Sequence, residues 1–125
     1  MILGLGIDLF EVARMERELQ LGKADFAEAL FTSAELDLCA GRPDPARRLA
    51  VRFAAKEAVA KALALDGTLG TPWRAIEILD TPVGPPEVRL HAPLDAVAAA
   101  RGVRRIHVAL AASRRFAAAS AVVEV

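Results

Sequence analysis

At 125 residues the chain is one domain long, able to bury roughly two thirds of its unfolded surface and too short for a multidomain architecture. Sixteen basic and sixteen acidic residues cancel to a formal net charge of +0, which argues against a general nucleic-acid-binding surface. The hydrophobic fraction of 54% is high for so small a chain; alanine accounts for part of it, and apolar surface kept for a subunit interface accounts for the rest.

No apolar run approaches the ~20 residues of a membrane helix, and the opening residues alternate like a strand instead of reading as a signal peptide. The lone Cys39 excludes an internal disulfide and fits a reducing, cytoplasmic setting. Charge is unevenly spread. Arg42, Arg47, Arg48, Arg52, Lys56 and Lys61 crowd a segment whose acids are Asp44 and Glu57, and the stretch from Arg101 to Arg115 has five arginines and no acid. Each segment is either a solvated face or part of a localised anion site.

Met1 to Leu9 alternate, with Leu3, Leu5, Ile7 and Leu9 on one face and Ile2, Gly4, Gly6 and Asp8 on the other, which predicts a strand. A helix is expected from about Phe10 to Leu21, with Val12, Met15, Glu16 and Leu19 on one stripe and Arg14, Arg17 and Glu18 opposite. Phe26, Leu30 and Phe31 suggest a short helical knot. Thr32, three residues before Glu35, is a capping-box signal for a helix through Cys39. After a Gly41–Pro45 loop, the longest helix is predicted over Ala46–Leu65, closed by Asp66-Gly67.

Ile76–Leu79 and Val88–His91 alternate on either side of Thr81–Pro86, which predicts a hairpin with a proline-rich turn. Pro93 is read as the first residue of a helix through Arg101, with Gly102 as its C′ residue. Ile106, Val108 and Leu110 alternate toward a Ser113–Arg115 turn, and Phe116–Val125 forms a last strand. Two hairpins and an opening strand point to an α+β fold, an antiparallel sheet packed by helices, in a single domain spanning residues 1–125.

Asp8 ends the glycine face of its strand, where Gly4 and Gly6 leave room for a close approach; it is either a helix cap or a ligand. In the run from Arg52 to Lys61, Arg52/Lys56 and Glu57/Lys61 are i, i+4 pairs. They are ordinary surface pairs unless this alanine-rich helix is buried, in which case four charges within three turns demand partners. Two carboxylates from separate elements beside fixed cations meet the needs of a magnesium–phosphate site, because magnesium takes one or two carboxylates plus phosphate oxygens and water. His107, on a half-buried strand, is a structural or an auxiliary residue. His91 and Trp73 read as structural.

The words ILGLGIDLFEVARMER, FTSAELDLC, RLAVRFAAKEAVAKAL and IHVALAASRRFAAASAVVE, in that order over nearly the whole chain, resemble the holo-acyl-carrier-protein synthases, the small bacterial 4′-phosphopantetheinyl transferases. The resemblance implies transfer of 4′-phosphopantetheine from coenzyme A, as co-substrate, to a serine of apo-acyl carrier protein, with 3′,5′-ADP leaving. This is a step in the service of fatty acid biosynthesis. It assigns Mg²⁺ to Asp8 and Glu57, and catalysis to Glu57, Lys61 and His107. Coenzyme A binding falls to Arg52, Lys56, Lys61, Gly84 and Pro86, and carrier docking to Arg14 and Arg17. It also implies a homotrimer with the site between neighbouring subunits. Three positions depart from the family pattern: Pro85 stands where lysine is common, Ala109 where serine is common, and Ala112 where histidine or aspartate is common. The alternatives are a magnesium-dependent nucleotide or pyrophosphate hydrolase and a non-catalytic module that binds coenzyme A or a carrier.

Overall fold

The computed structural model describes residues 1–65 and 70–125, apart from the side chain of Lys23; the predicted Asp66-Gly67 helix stop lies outside the described residues. Strand β1 (Ile2–Glu11) leads into helix α1 (Val12–Leu30), α2 (Ser33–Cys39) and α3 (Pro45–Ala62). A 3-10 turn at Trp73–Ala75 precedes β2 (Ile76–Leu79) and β3 (Glu87–Leu90), followed by α4 (Leu94–Ala100), β4 (Arg105–Ala112) and β5 (Phe116–Glu124). The expected α+β class is what forms.

The close packing of β1 on α3 organises the fold. A Cβ on Gly4 would lie 1.9 Å from the Ala62 carbonyl oxygen, and one on Gly6 1.9 Å from that of Ala58. Only glycine permits this approach. Two strand residues advance about 6.6 Å and four helix residues about 6.0 Å, so Gly4/Ala62 and Gly6/Ala58 stay in step. The next residue on that face is Asp8, brought beside the turn of α3 that carries Glu57. From the helix side Ala54, Ala55, Ala58 and Ala62 meet the sheet, whose β5 contributes buried Ala117, Ala119, Ala121 and Val123. Alternate apolar residues of β1 face the other way: Leu5 is 67% exposed, Ile7 72% and Leu9 65%.

Three expectations are revised. Phe10 and Glu11 continue β1, paired with Ala117 and Phe116, so α1 starts at Val12. That helix does not stop near Leu21. The stripe of Val12, Met15, Leu19, Phe26 and Leu30 keeps helical register through Gly22, and packing on the core outweighs the roughly 1 kcal/mol that an interior glycine costs. The five strands make two sheets: β1-β5-β4, antiparallel, and a separate β2-β3 hairpin.

A buried polar cluster ties that hairpin to the body. The Thr32 capping box forms as predicted, with Thr32 N donating to Glu35 Oε1 at 2.9 Å and Glu35 N to Thr32 Oγ1 at 3.2 Å. Glu35 is fully buried, and its carboxylate also accepts from Ile78 N at 3.0 Å and from Lys56 Nζ at 2.7 Å. Thr32 Oγ1 donates to Glu77, whose other oxygen lies 3.0 Å from His91 Nε2. Burial pushes the Glu77 carboxyl up, yet the hydrogen bonds from Thr32 and His91 and the charges of His91 and Arg89 outweigh it and hold the group below its ordinary value. The structural reading of His91 stands. Pro93 precedes α4 as its cap residue, and Gly102 follows the helix with φ 74°.

Candidate active site

The Gly4–Gly6 contact determines the geometry here. Asp8, 8% exposed, accepts a hydrogen bond from Lys61 Nζ to Oδ1 at 3.1 Å, and Lys61 also donates to Ile7 O at 3.0 Å. Asp8 Oδ2 is buried with no partner among the described residues. Glu57 stands half-buried beside it. Burial first, then the neighbouring Asp8 carboxylate, push the Glu57 carboxyl up to about 7 against the pull of Lys61 and Arg14.

Asp8, Glu57 and Lys61 are therefore brought together from residues 49 to 53 positions apart, and Lys61 reaches Asp8 across the strand. The donor set fits a hard divalent cation: a buried, unpartnered carboxylate oxygen, a second carboxyl whose ionisation is held back by the first, and a site open on the Lys61 side. Sequence reasoning placed Arg14 only on a docking surface. Its guanidinium lies 5.2 Å from the centre of the Phe10 ring and its charge acts on Glu57. The sequence signal was Phe10, next after Asp8 on the same strand face, an aromatic platform for a cation in the first turn of α1. Arg17 is exposed on the same helix.

Lys56 does not serve as a phosphate ligand. It is fully buried, and its three donors go to Glu35 Oε1 at 2.7 Å, Trp73 O at 2.9 Å and Ile76 O. Desolvation lowers its pKa against the pull of Glu35. The charge that burial made costly is balanced inside the protein, not by a ligand. Arg52 is buried as well and pairs with Asp80 at 2.8 Å. Gly84, with φ 93°, and Pro86 shape the hairpin turn, which Thr81 Oγ1 closes on Pro85 O at 2.9 Å.

His107 is not part of this cluster. It is in register with Val122 and Leu5, on the exposed face of the sheet, whereas Asp8 is in register with buried Ala119 on the opposite face. Its Nε2 lies 3.2 Å from Glu124 Oε1. A proton-transfer role beside Asp8 and Glu57 of the same chain is excluded by the pleat.

A three-stranded antiparallel sheet with a helix laid on its glycine face, and a two-carboxylate, one-lysine cluster at that contact, define the α+β domain and its candidate site. The same architecture is found in the holo-[acyl-carrier-protein] synthase of Neisseria meningitidis, to which the chain is similar at 30% identity and a TM-score of 0.88 over 99% of each chain. It is found too in that of Helicobacter pylori, solved in complex with coenzyme A, at 26% identity and a TM-score of 0.81 over 96% of this chain and 99% of that one. In sequence the chain is 39% identical over 123 residues to the holo-[acyl-carrier-protein] synthase of Serratia proteamaculans, covering 98% of both. A family model matches residues 4–119, and the chain belongs to the 4′-phosphopantetheinyl transferase superfamily.

Proposed function

We propose that this chain transfers the 4′-phosphopantetheine of coenzyme A to a serine of apo-acyl carrier protein, with Mg²⁺ held by Asp8 and Glu57. The supporting observation is the buried, unpartnered Asp8 Oδ2 beside a Glu57 whose carboxyl is pushed up to about 7. Membership of the transferase superfamily and the similarity to synthases over nearly the full chain support the substrate pair.

Bound magnesium supplies positive charge to the pyrophosphate of coenzyme A. The chain's own groups do the rest. Lys61, half-exposed at the rim, donates to the pyrophosphate while remaining near Asp8. The serine oxygen of the carrier bonds to the β-phosphorus, the bond to the leaving oxygen breaks, 3′,5′-ADP departs, and the serine proton passes toward Glu57. Gly84 and Pro86 line the nucleotide side, and Arg52 meets a coenzyme A phosphate. Arg14 and Arg17, exposed on α1, offer positive charge to an acidic carrier.

The exposed Leu5, Ile7 and Leu9 support a homotrimer that covers this sheet face. His107 lies on that face, so its auxiliary binding role is exercised on a neighbouring subunit's ligand. Among the described residues no helix is long and apolar enough to cross a membrane, and the buried free Cys39 agrees with a reducing, cytoplasmic setting; the similarity to holo-[acyl-carrier-protein] synthases supports a place in fatty acid biosynthesis.

The test is the mass of apo-acyl carrier protein incubated with the chain, coenzyme A and Mg²⁺. The carrier gains one phosphopantetheine, and a chelator prevents it. An unmodified carrier alongside consumed coenzyme A would mark a hydrolase instead.

A further inference from the structure

Arg52 is held in an unusual state for a guanidinium. Its side chain is 7% exposed, yet its carboxylate partner Asp80 is 56% exposed at the mouth of the β2-β3 turn. The remaining donors are poorly met: Nη1 reaches Arg48 O at 3.5 Å, and Nε is buried with no partner among the described residues. Buried donors of this kind are normally satisfied. Asp80 is also the sole charged residue of the segment Asp80-Thr81-Pro82-Val83-Gly84-Pro85-Pro86, so the turn brings an acid and no cation to the place where Arg52 opens to solvent.

The two partners are unequally committed. Arg52 cannot leave without vacating the core beside α3, whereas Asp80 can turn into water. A phosphate monoester, with about two charges and three acceptor oxygens, competes well against one carboxylate for a planar fork of N–H donors. Arg52 precedes Glu57 by five residues, about 7.5 Å along α3. It faces the hairpin while Lys61 and the two carboxylates serve the pyrophosphate. The phosphate left for Arg52 is the 3′-monoester of coenzyme A.

We propose that Asp80 is a specificity-determining residue, an internal competitor that occupies Arg52 until the 3′-phosphate of coenzyme A displaces it. This rests on the reading of the chain as a coenzyme A-dependent transferase. Asp80 weakens the advantage that the 3′-phosphate confers, so this chain discriminates less between coenzyme A and dephospho-coenzyme A than one with a neutral residue at position 80.

Steady-state transfer to apo-acyl carrier protein, with coenzyme A and dephospho-coenzyme A as alternative donors, tests it. Asp80→Asn should lower KM for coenzyme A by roughly threefold to tenfold, leaving kcat and the KM for dephospho-coenzyme A unchanged. In an Arg52→Gln background the same substitution should have no effect on either donor. An unchanged or raised KM for coenzyme A, or an equal fall for both donors, overturns the proposal. Asp80→Ser, matched to the wild type by thermal melting, serves if Asp80→Asn loses its fold. A wild-type chain that transfers from neither donor overturns the functional reading itself, and the Asp80 proposal with it.

Discussion

Glu57 and Asp8 confront each other across the β1–α3 contact, and the consequence is a raised Glu57 carboxyl, whose proton the proposed metal would have to displace. In the metal-free chain the Glu57 carboxyl is raised from its ordinary value near 4.5 to about 7, so between those values the folded state binds more proton than the unfolded one. The contribution of this group to stability is therefore fully present below pH 4.5 and is lost as pH rises through about 7. A divalent ion needs both carboxylates ionised and competes with that proton. Thermal melting should show a Mg²⁺-induced rise in midpoint that is small at pH 5.5 and larger at pH 8. Glu57→Gln should remove the rise at both. A metal effect independent of pH would mean that Glu57 is not a ligand. The sequence residue by residue left Asp8 as a cap or a ligand and Glu57 as a surface pair or a buried charge; it was the family resemblance that joined them, and the fold does bring them together. Lys56 was misread because burial implied a partner without saying whether that partner was ligand or protein, and Glu35 lies 21 residues away.

At the scale of elements, two contacts hold the site. The first is glycine against helix backbone. Gly6→Ala would place a Cβ 1.9 Å from Ala58 O, so α3 must move off the sheet. Overpacking of this kind costs about 1–3 kcal/mol or more, and an ångström of displacement between Asp8 and Glu57 is enough to lower turnover about 100-fold. A Gly6→Ala chain that keeps wild-type turnover would refute the close contact. The second is the Lys56–Glu35 pair, both side chains 0% exposed. Lys56→Met strands a buried carboxylate and should destabilise by about 3–5 kcal/mol in urea unfolding, while Lys56→Met with Glu35→Gln recovers much of the loss. Equal losses in the single and double variants would show that the pair is not coupled. Element types and the capping box were readable from periodicity and local chemistry. The division into two sheets was not, because alternation in β2 and β3 fixes a hairpin but not which sheet it joins.

For the whole molecule, the amphipathic pattern of β1 carries its information in an inverted form. Leu5, Ile7 and Leu9 lie outside and Gly4 and Gly6 inside, since an alanine-rich helix backbone can come this close only where the strand carries no side chains. The surplus hydrophobicity seen in the composition is partly this exposed face, which a trimer would cover. Sedimentation velocity should find the wild type at three times the chain mass and Ile7→Asp at the mass of one. A wild type that sediments as an active monomer contradicts the assembly. The proposed transfer depends on one shared ion site formed by Asp8 and Glu57. Calorimetric titration of Mn²⁺ into the chain with coenzyme A present measures it directly. One ion per subunit for the wild type, lost in both Asp8→Asn and Glu57→Gln, is the predicted result; undiminished binding in either variant would contradict the account.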